Sequence, residues 1–383
     1  MGAEGKSTPS SLLVWWNFFK NTWQLQHADS EGYREVAAKQ LGASGDPKAA
    51  EHLVKALRDR SPSVRRSAAS ALGQLRDSRA LVVEALQATL RDSKRGVVMA
   101  AVASLGDLGN PQAVEDLAET ARNRDPDIRK AGFDALVKLG AHAVQPLIAI
   151  LSDPDEVIRK SAAQALGQVG AVDAIKPLVL MLKQGDAEVK TAAEALEVLG
   201  WEPSKPDERV LYAFARGRFD DPVADGAAAV PPLVSLLGKG QTSAVRRAAA
   251  RALGQIGDSQ ALRPLAATLV DGEASLEVRE AAATSLGQLH NPQALDVLVA
   301  AIKNADDAPE VRSAAAGALG EIGDPLAVDP LISLLKCIEH LLRTAAAEAL
   351  GNIGDQAAIG ALMTILMEDK RHSVRKAAAD ALV

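Results

Sequence analysis

Leucine recurs along this chain at nearly even intervals, and this spacing constrains the fold more than any other feature. Successive leucines of the series are 30 to 33 residues apart, except for one step of 57 between Leu196 and Leu253. The series consists of Leu41, Leu72, Leu105, Leu136, Leu166, Leu196, Leu253, Leu286, Leu319, Leu350 and Leu382. A fixed period of this size is typical of stacked supersecondary units. The sequence therefore predicts an architecture clearly, and it says much less about a biochemical activity.

The residues around each leucine share the pattern V-R-x-x-A-A-x-A-L-G-x-[LIV]-G-[DN]. Good copies are VRRSAASALGQ at Val64–Gln74 and VRSAAAGALGEI at Val311–Ile322. The alanines and the leucine fall at helical spacing and form a narrow apolar face. A glycine followed by Asp or Asn then ends the helix.

A second helix pattern, A-[LIV]-x-x-L-[LIVM]-x-x-L, precedes each such segment, as at Ala327–Leu335 and Ala358–Leu366. A polar turn joins the two, usually with Asp: Asp59, Asp92, Asp125, Asp153, Asp186, Asp271 and Asp369. An arginine lies seven positions before nine of the leucines: Arg34, Arg65, Arg129, Arg159, Arg246, Arg279, Arg312, Arg343 and Arg375. We expect each Asp to cap the second helix and to face the Arg that follows it. The repeated Asp and Arg side chains would then form a structural ladder along the stack, and an anion-binding site at each Arg is the alternative.

Two helices per unit of about 31 residues, with this consensus, resemble the HEAT-like repeat family in the short form found in phycobilisome lyases. The resemblance covers roughly residues 31–383. It implies an all-α fold, a right-handed α-solenoid of about eleven HEAT-like helix pairs, with the second helices lining the concave face. Residues 31–200 would hold repeats 1–6 and residues 227–383 repeats 7–11. Members of the family are mostly binding scaffolds, and a few are enzymes.

The composition agrees with a stack of thin layers and argues against some classes of partner. Of 383 residues, 48% are hydrophobic but only 3% are aromatic, so the apolar content is mainly small and aliphatic. A net charge of -6 argues against a nucleic-acid partner. The single cysteine, Cys337, excludes a disulfide framework and fits a reducing compartment. Because no signal-peptide pattern is evident either, we expect a cytoplasmic protein.

The long leucine step contains an aromatic insertion, residues 201–226. Trp201, Tyr212, Phe214 and Phe219 lie in it, and Pro206 should start a short helix at Asp207–Phe214. A similar cassette recurs in relatives of this repeat class. The insertion is interpreted as an architectural wedge, with a partner-contact loop as the alternative.

Residues 1–30 carry an aromatic amphipathic helix. Leu12, Trp15, Trp16, Phe19 and Trp23 fall on one helical face. Because a solenoid needs its first repeat covered, this helix is interpreted as a cap. Docking onto a partner is the alternative. Contact with a membrane surface through residues 12–25 is disfavoured, since Lys20 alone is a weak polar-face charge for anionic lipid.

One connecting turn is apolar instead of polar. In KCIEHLLR, residues 336–343, Ile338, His340 and Leu341 stand where other repeats carry an Asp turn. This segment is either a contact patch or an extended helix that packs internally.

No catalytic, cofactor-binding or metal-binding constellation is recognisable. The six histidines show no metal-ligand spacing. Deoxyhypusine hydroxylase, an iron enzyme on this architecture, uses repeated His-Glu pairs, and this chain has no His-Glu dipeptide. We therefore expect no cofactor and more readily a binding protein than an enzyme.

The expected concave face carries a partly basic row beside an amide row. Its candidate partner-binding residues are Arg66, Lys130, Lys160, Arg247, Gln168, Gln255 and Gln288. Such a surface suits a protein partner that offers an extended or helical segment, an acidic one in particular. The sequence thus indicates a non-enzymatic scaffold or adaptor. The alternative is a bilin lyase or isomerase subunit acting on a phycobiliprotein, which the resemblance alone implies.

Overall fold

The structure is a computed structural model that describes residues 9–184 and 188–383. These residues form helices and connecting turns without any strand, so the predicted all-α helix-pair solenoid is confirmed. The chain divides into two compact units, Met1–Met181 with Lys190–Trp201, and Leu182–Val189 with Glu202–Val383.

The helices up to the long leucine step are α1 Pro9–His27, α2 Glu31–Ala43, α3 Ala49–Ala56, α4 Pro62–Leu75, α5 Ala80–Thr89, α6 Arg95–Leu108, α7 Val114–Thr120, α8 Pro126–Leu139, α9 Val144–Ile150, α10 Glu156–Val169, α11 Ile175–Gln184 and α12 Val189–Val198. Those after it are α13 Pro206–Ala215, α14 Val230–Ser235, α15 Ser243–Ile256, α16 Leu262–Leu269, α17 Leu276–Gln288, α18 Leu295–Lys303, α19 Pro309–Ile322, α20 Val328–Leu334, α21 His340–Ile353, α22 Ile359–Glu368 and α23 His372–Ala381.

Within each unit the second helices of neighbouring pairs pack against one another. In the first unit α2, α4, α6, α8 and α10 contact in series, and in the second unit α15, α17, α19, α21 and α23 do so. The leucines of the series from Leu41 to Leu350 are at most 1% exposed, which places them in the core. The even leucine spacing therefore reflects one buried anchor per second helix.

The Gly-Asp motif that follows the anchors Leu253, Leu319 and Leu350 serves two consecutive elements. Gly323 ends α19 in the left-handed conformation at φ 72°, which costs a residue without Cβ little. Asp324 then accepts a hydrogen bond at 2.9 Å from the backbone N–H of Leu326 and starts the 3-10 turn that leads into α20. One dipeptide thus terminates one helix and caps the next turn.

Arginine and aspartate form a ladder between neighbouring pairs, but its pairing differs from the sequence expectation. The guanidinium of Arg65 lies 2.6 Å from the Asp92 carboxylate of the following pair, not from Asp59. Its Nη1 donates instead to the backbone carbonyl of Asp59 at 2.9 Å. The same carboxylate pairing joins Arg34–Asp59, Arg246–Asp271, Arg279–Asp307 and Arg343–Asp369. Each such arginine therefore ties its own turn to the next repeat.

Helix α1 packs on α2 and α3, and its contact with α2 resembles those of α3 with α4 and of α16 with α17. Its packed face consists of Phe18, Asn21, Thr22 and Leu25. The aromatic face does not cover the repeat: Trp15, Trp16, Phe19 and Trp23 are 51–64% exposed. The small side chains Asn21 and Thr22 allow close approach to the neighbouring helices, so the bulkiest face of α1 points away from them.

The insertion packs into the core of the second unit. Its helix α13 begins at Pro206, and Val210 and Phe214 are buried with the hydrophobic core of that unit. The Phe214 and Phe219 rings meet edge to face with centroids 5.1 Å apart, and Arg209 pairs with Asp225 at 2.7 Å. The aromatic residues of this segment are thus largely used for packing.

One helical stretch of the described residues, Pro126–Ile150, is long and apolar enough to cross a membrane by length and composition alone. It comprises α8, a short 3-10 turn and α9. Gly140 breaks the helical geometry between them with φ 58° and ψ -125°. The stretch is therefore the second helix of one pair followed by the first helix of the next.

Candidate functional site

Grooves between neighbouring second helices bring most of the predicted basic and amide residues together. In the first unit, α8 and α10 enclose a groove of about 360 Å³ that Lys130 and Gln168 line. In the second unit, α15 and α17 enclose a groove of about 210 Å³ that Arg247, Gln255 and Gln288 line. We call these the α8/α10 groove and the α15/α17 groove.

The α8/α10 groove has an apolar floor and a basic wall. Phe133, Val137 and Val157 contribute its apolar surface, and Arg129 lies beside Lys130. Among the described residues neither of these cations has a carboxylate within salt-bridge distance; Arg129 donates to the backbone carbonyl of Asn123 at 3.1 Å. With Asp134 as the only acid in its lining, the groove carries an excess of positive charge.

The α15/α17 groove is balanced in charge. Arg247 and Arg251 on α15 face Glu277 and Glu280 on α17. The pKa of the Glu277 carboxyl lies below its ordinary value, mainly because its own backbone N–H donates to it, with a contribution from the positive charge of Arg247. The amide groups of Gln255 and Gln288 in this groove are exposed.

A further groove of about 530 Å³ lies between α4 and α6 of the first unit, lined by Gln74 and Asp107 among others. These residues follow the leucine anchors by two positions, as Gln168 and Gln255 do. The position two after the anchor therefore lines a groove in several repeats.

Two predicted residues of the basic row line none of these grooves. Lys160 is half-buried and forms an ion pair with Glu156 one turn earlier in α10. Arg66 is exposed on α4 outside the grooves. Sequence reasoning also missed Phe133, although a lone aromatic residue among the alanines of a second helix was a visible signal for it.

The apolar turn is exposed and is not an extended helix. Helix α20 ends at Leu334 and α21 begins at His340, which leaves a true turn between them. Ile338 is 92% exposed, and His340 and Leu341 are exposed beside it. The interpretation as an internally packed continuous helix is therefore wrong, and the contact-patch interpretation stays a prediction.

The described residues contain no group of three or more His, Cys, Asp or Glu side chains placed to hold a metal ion.

Comparison with known families decides what kind of chain this is. Residues 20–83, 82–137, 122–197, 202–276 and 271–350 match the pattern of HEAT repeats, and residues 342–366 match the PBS lyase HEAT-like repeat. The chain belongs to the HEAT-repeat family. No curated protein sequence matches this HEAT-repeat chain.

Solved structures similar to this HEAT-repeat protein include human deoxyhypusine hydroxylase in complex with glycerol, at 23% identity and a TM-score of 0.31, covering 90% of this chain and 98% of that one. An engineered protein matches at 24% identity and a TM-score of 0.34, covering 96% and 98%. Kap121p matches at 13% identity and a TM-score of 0.41, covering 98% of this chain and 49% of that one.

Proposed function

We propose that this HEAT-repeat chain is a non-enzymatic, cytoplasmic scaffold that binds a protein partner through the grooves between its second helices. The observation that carries the proposal is the convergence of unneutralised basic groups and exposed amides over an apolar floor in the α8/α10 groove. A surface of this kind binds an extended segment by hydrogen bonds to its backbone and by contacts to its side chains.

The chemistry of the grooves favours particular segments. Arg129 and Lys130 favour a segment with acidic side chains, because cationic groups without a carboxylate partner attract them. The balanced α15/α17 groove offers Gln255 and Gln288 to backbone carbonyl and N–H groups of any sequence. We therefore propose an acidic stretch for the first groove and a sequence-tolerant stretch for the second.

Charge reversal in the grooves tests the scaffold. The variant Lys130→Glu/Arg247→Glu should fail to recover the partner proteins that the unaltered full chain captures and that mass spectrometry identifies. The matched control is Lys176→Glu/Arg263→Glu, which makes the same charge change at exposed positions of the first helices α11 and α16. Equal recovery by both variants, with unchanged unfolding midpoints, contradicts the proposal.

A second candidate function is a subunit of a bilin lyase or isomerase. The match of residues 342–366 to the PBS lyase HEAT-like repeat favours it. Incubation of the full chain with a bilin and an apo-phycobiliprotein separates the two candidates. Covalent chromophore attachment above the background of a chain-free mixture supports the lyase, and its absence at equal protein concentrations favours the scaffold.

A further inference from the structure

Cys337 occupies the position that aspartate holds elsewhere in the ladder. Arg343 Nη1 donates to the backbone carbonyl of Cys337 at 2.8 Å. The equivalent bonds in other repeats run to Asp59 from Arg65 at 2.9 Å and to Asp369 from Arg375 at 2.8 Å. Because these bonds fix the backbone in the same way, the thiol stands where a ladder carboxylate would stand.

The arginine that faces this position lacks an acidic partner. Arg312 is only 7% exposed, and its Nε and Nη2 donate to the carbonyl of Ile302 at 3.1 and 3.0 Å. Its Nη2 also lies 3.9 Å from Cys337 Sγ, and no carboxylate of the described residues lies within salt-bridge distance. Arg34 and Arg246, which are equally buried, pair with aspartates at 2.8 and 2.9 Å.

This arrangement leaves a buried cation facing a weak acceptor. A thiol is a poor hydrogen-bond acceptor, and a buried guanidinium without an anionic partner is costly. An anion bonded to Cβ of residue 337 would restore the pairing seen in the other repeats. Cys337 is the single cysteine of the chain, so it cannot form a disulfide within the chain.

We propose that Cys337 is an oxidation site, at which a cysteine sulfinate takes the role of the missing ladder aspartate. The oxidant is hydrogen peroxide. In the first step the sulfur attacks one peroxide oxygen, so that an S–O bond forms and the O–O bond breaks. The sulfur loses two electrons and becomes a sulfenic acid, and the other oxygen leaves as hydroxide, which takes up the thiol proton to form water. A second equivalent reacts in the same way and yields the sulfinate, a proton and another water.

The product has the geometry that the position requires. A sulfinate presents two oxygens on the atom bonded to Cβ, as the aspartate carboxylate does. One oxygen would accept from Arg312. The other would accept from the backbone N–H of Glu339, two residues on, as Asp59 accepts from Ser61 at 2.8 Å and Asp369 from Arg371 at 2.8 Å. Oxidation therefore joins the α19 pair to the α21 pair by a charge-assisted contact.

The thiol is placed for a small oxidant to reach it. Cys337 is partly exposed, and it lies in the turn beside Ile338, which is almost fully exposed. Reaction there requires no opening of the helix pairs.

Peroxide treatment of the full chain tests the proposal. Peptide mass spectrometry should show two added oxygens at Cys337. Hydrogen exchange should then slow at the start of α21, with the unfolding equilibrium constant falling about tenfold or more. The same treatment of Cys337→Ser controls for methionine oxidation and should give neither effect. Two results overturn the proposal. One is oxidation at Cys337 that leaves hydrogen exchange and stability unchanged. The other is a Cys337 thiol that reaches no higher oxidation state than the thiol of free glutathione under the same conditions.

A second comparison needs no oxidant and tests the charge pairing. Cys337→Asp should be more stable than the isosteric Cys337→Asn, and the difference should vanish in an Arg312→Gln background. Equal stability of the Asp and Asn variants contradicts the inference even if the Arg312→Gln chain does not fold.

Discussion

Gly320 of α19 approaches Ala349 of α21 so closely that a Cβ on Gly320 would lie 2.7 Å from the Cα of Ala349. The glycine directly after other leucine anchors makes the same approach: a Cβ on Gly42 would lie 2.7 Å from the Cα of Ala71, and one on Gly287 2.7 Å from that of Ala318. The glycine and alanine of the consensus are thus two sides of one contact between second helices. This contact sets how tightly neighbouring pairs can pack.

Gly320→Ala should therefore destabilise the chain. The added methyl meets backbone that cannot rotate away, and overpacking of this kind costs about 1–3 kcal/mol. The matched control is Gly317→Ala in the same helix, where a Cβ meets nothing within 4 Å. That substitution should stabilise the chain by up to about 1 kcal/mol, because alanine favours the helix over glycine. Urea unfolding followed by circular dichroism measures both, and equal effects of the two variants would refute the role of the contact.

The Arg65–Asp92 pair should make stability depend on pH. The guanidinium of Arg65 holds the pKa of the Asp92 carboxyl below its ordinary value by a hydrogen bond, assisted by the backbone N–H of Lys94. Because this pKa is lower in the folded chain, the stabilisation is fully present above the ordinary aspartate pKa of about 4, and it is lost as the pH falls through the folded value.

Asp92→Asn should accordingly lower the free energy of unfolding at pH 7 by about 3–5 kcal/mol, since it leaves Arg65 without its anion. The difference from the unaltered chain should shrink as the pH is lowered toward 3. Asp134→Asn, at an exposed position without an ion pair, is the control and should change stability little at either pH. Urea titrations at pH 7, 5 and 3 measure the effect; a difference that does not vary with pH contradicts it.

Features that depend on a short stretch of the chain were predictable from the sequence. The leucine anchors and the start of α13 at Pro206 follow from local spacing and helix-start signals. The pairing of Arg65 with Asp92 rather than Asp59 was not predictable, because it depends on how one repeat is placed against the next.

The candidate site was predictable only in part for the same reason. Lys130 and Gln168 come from different second helices, and their convergence in one groove follows from a regular stack. The ion pair of Lys160 with Glu156 could have been read from the sequence, because a helix brings side chains four residues apart together. The orientation of α1 could not be read from its pattern, since hydrophobic periodicity favours the aromatic face and close packing favours Asn21 and Thr22.

Substitutions on the two faces of α1 should therefore differ in effect. Leu25→Ala removes a side chain that is buried in the packed face and should cost about 2–5 kcal/mol. Trp16→Ala removes an exposed side chain and should change stability by less than about 0.5 kcal/mol. Urea unfolding of both variants measures which face of α1 contributes to stability. A larger loss for Trp16→Ala than for Leu25→Ala would show that the aromatic face packs after all.

Substitutions in the insertion distinguish a packing role from a partner-contact role. A packing residue should affect stability when it is replaced, and a contact residue should affect partner recovery. Phe214 is buried among core residues of the second unit, so Phe214→Ala should cost about 3–5 kcal/mol of unfolding free energy. Arg218 lies exposed with its guanidinium carbon 5.6 Å from the Tyr212 ring centroid, an arrangement worth only about 0.5–1 kcal/mol. Arg218→Ala should therefore leave the urea midpoint nearly unchanged. If Phe214→Ala instead kept full stability and lost partner recovery, the insertion would be a contact loop, because a side chain used for packing cannot be removed without opening a cavity.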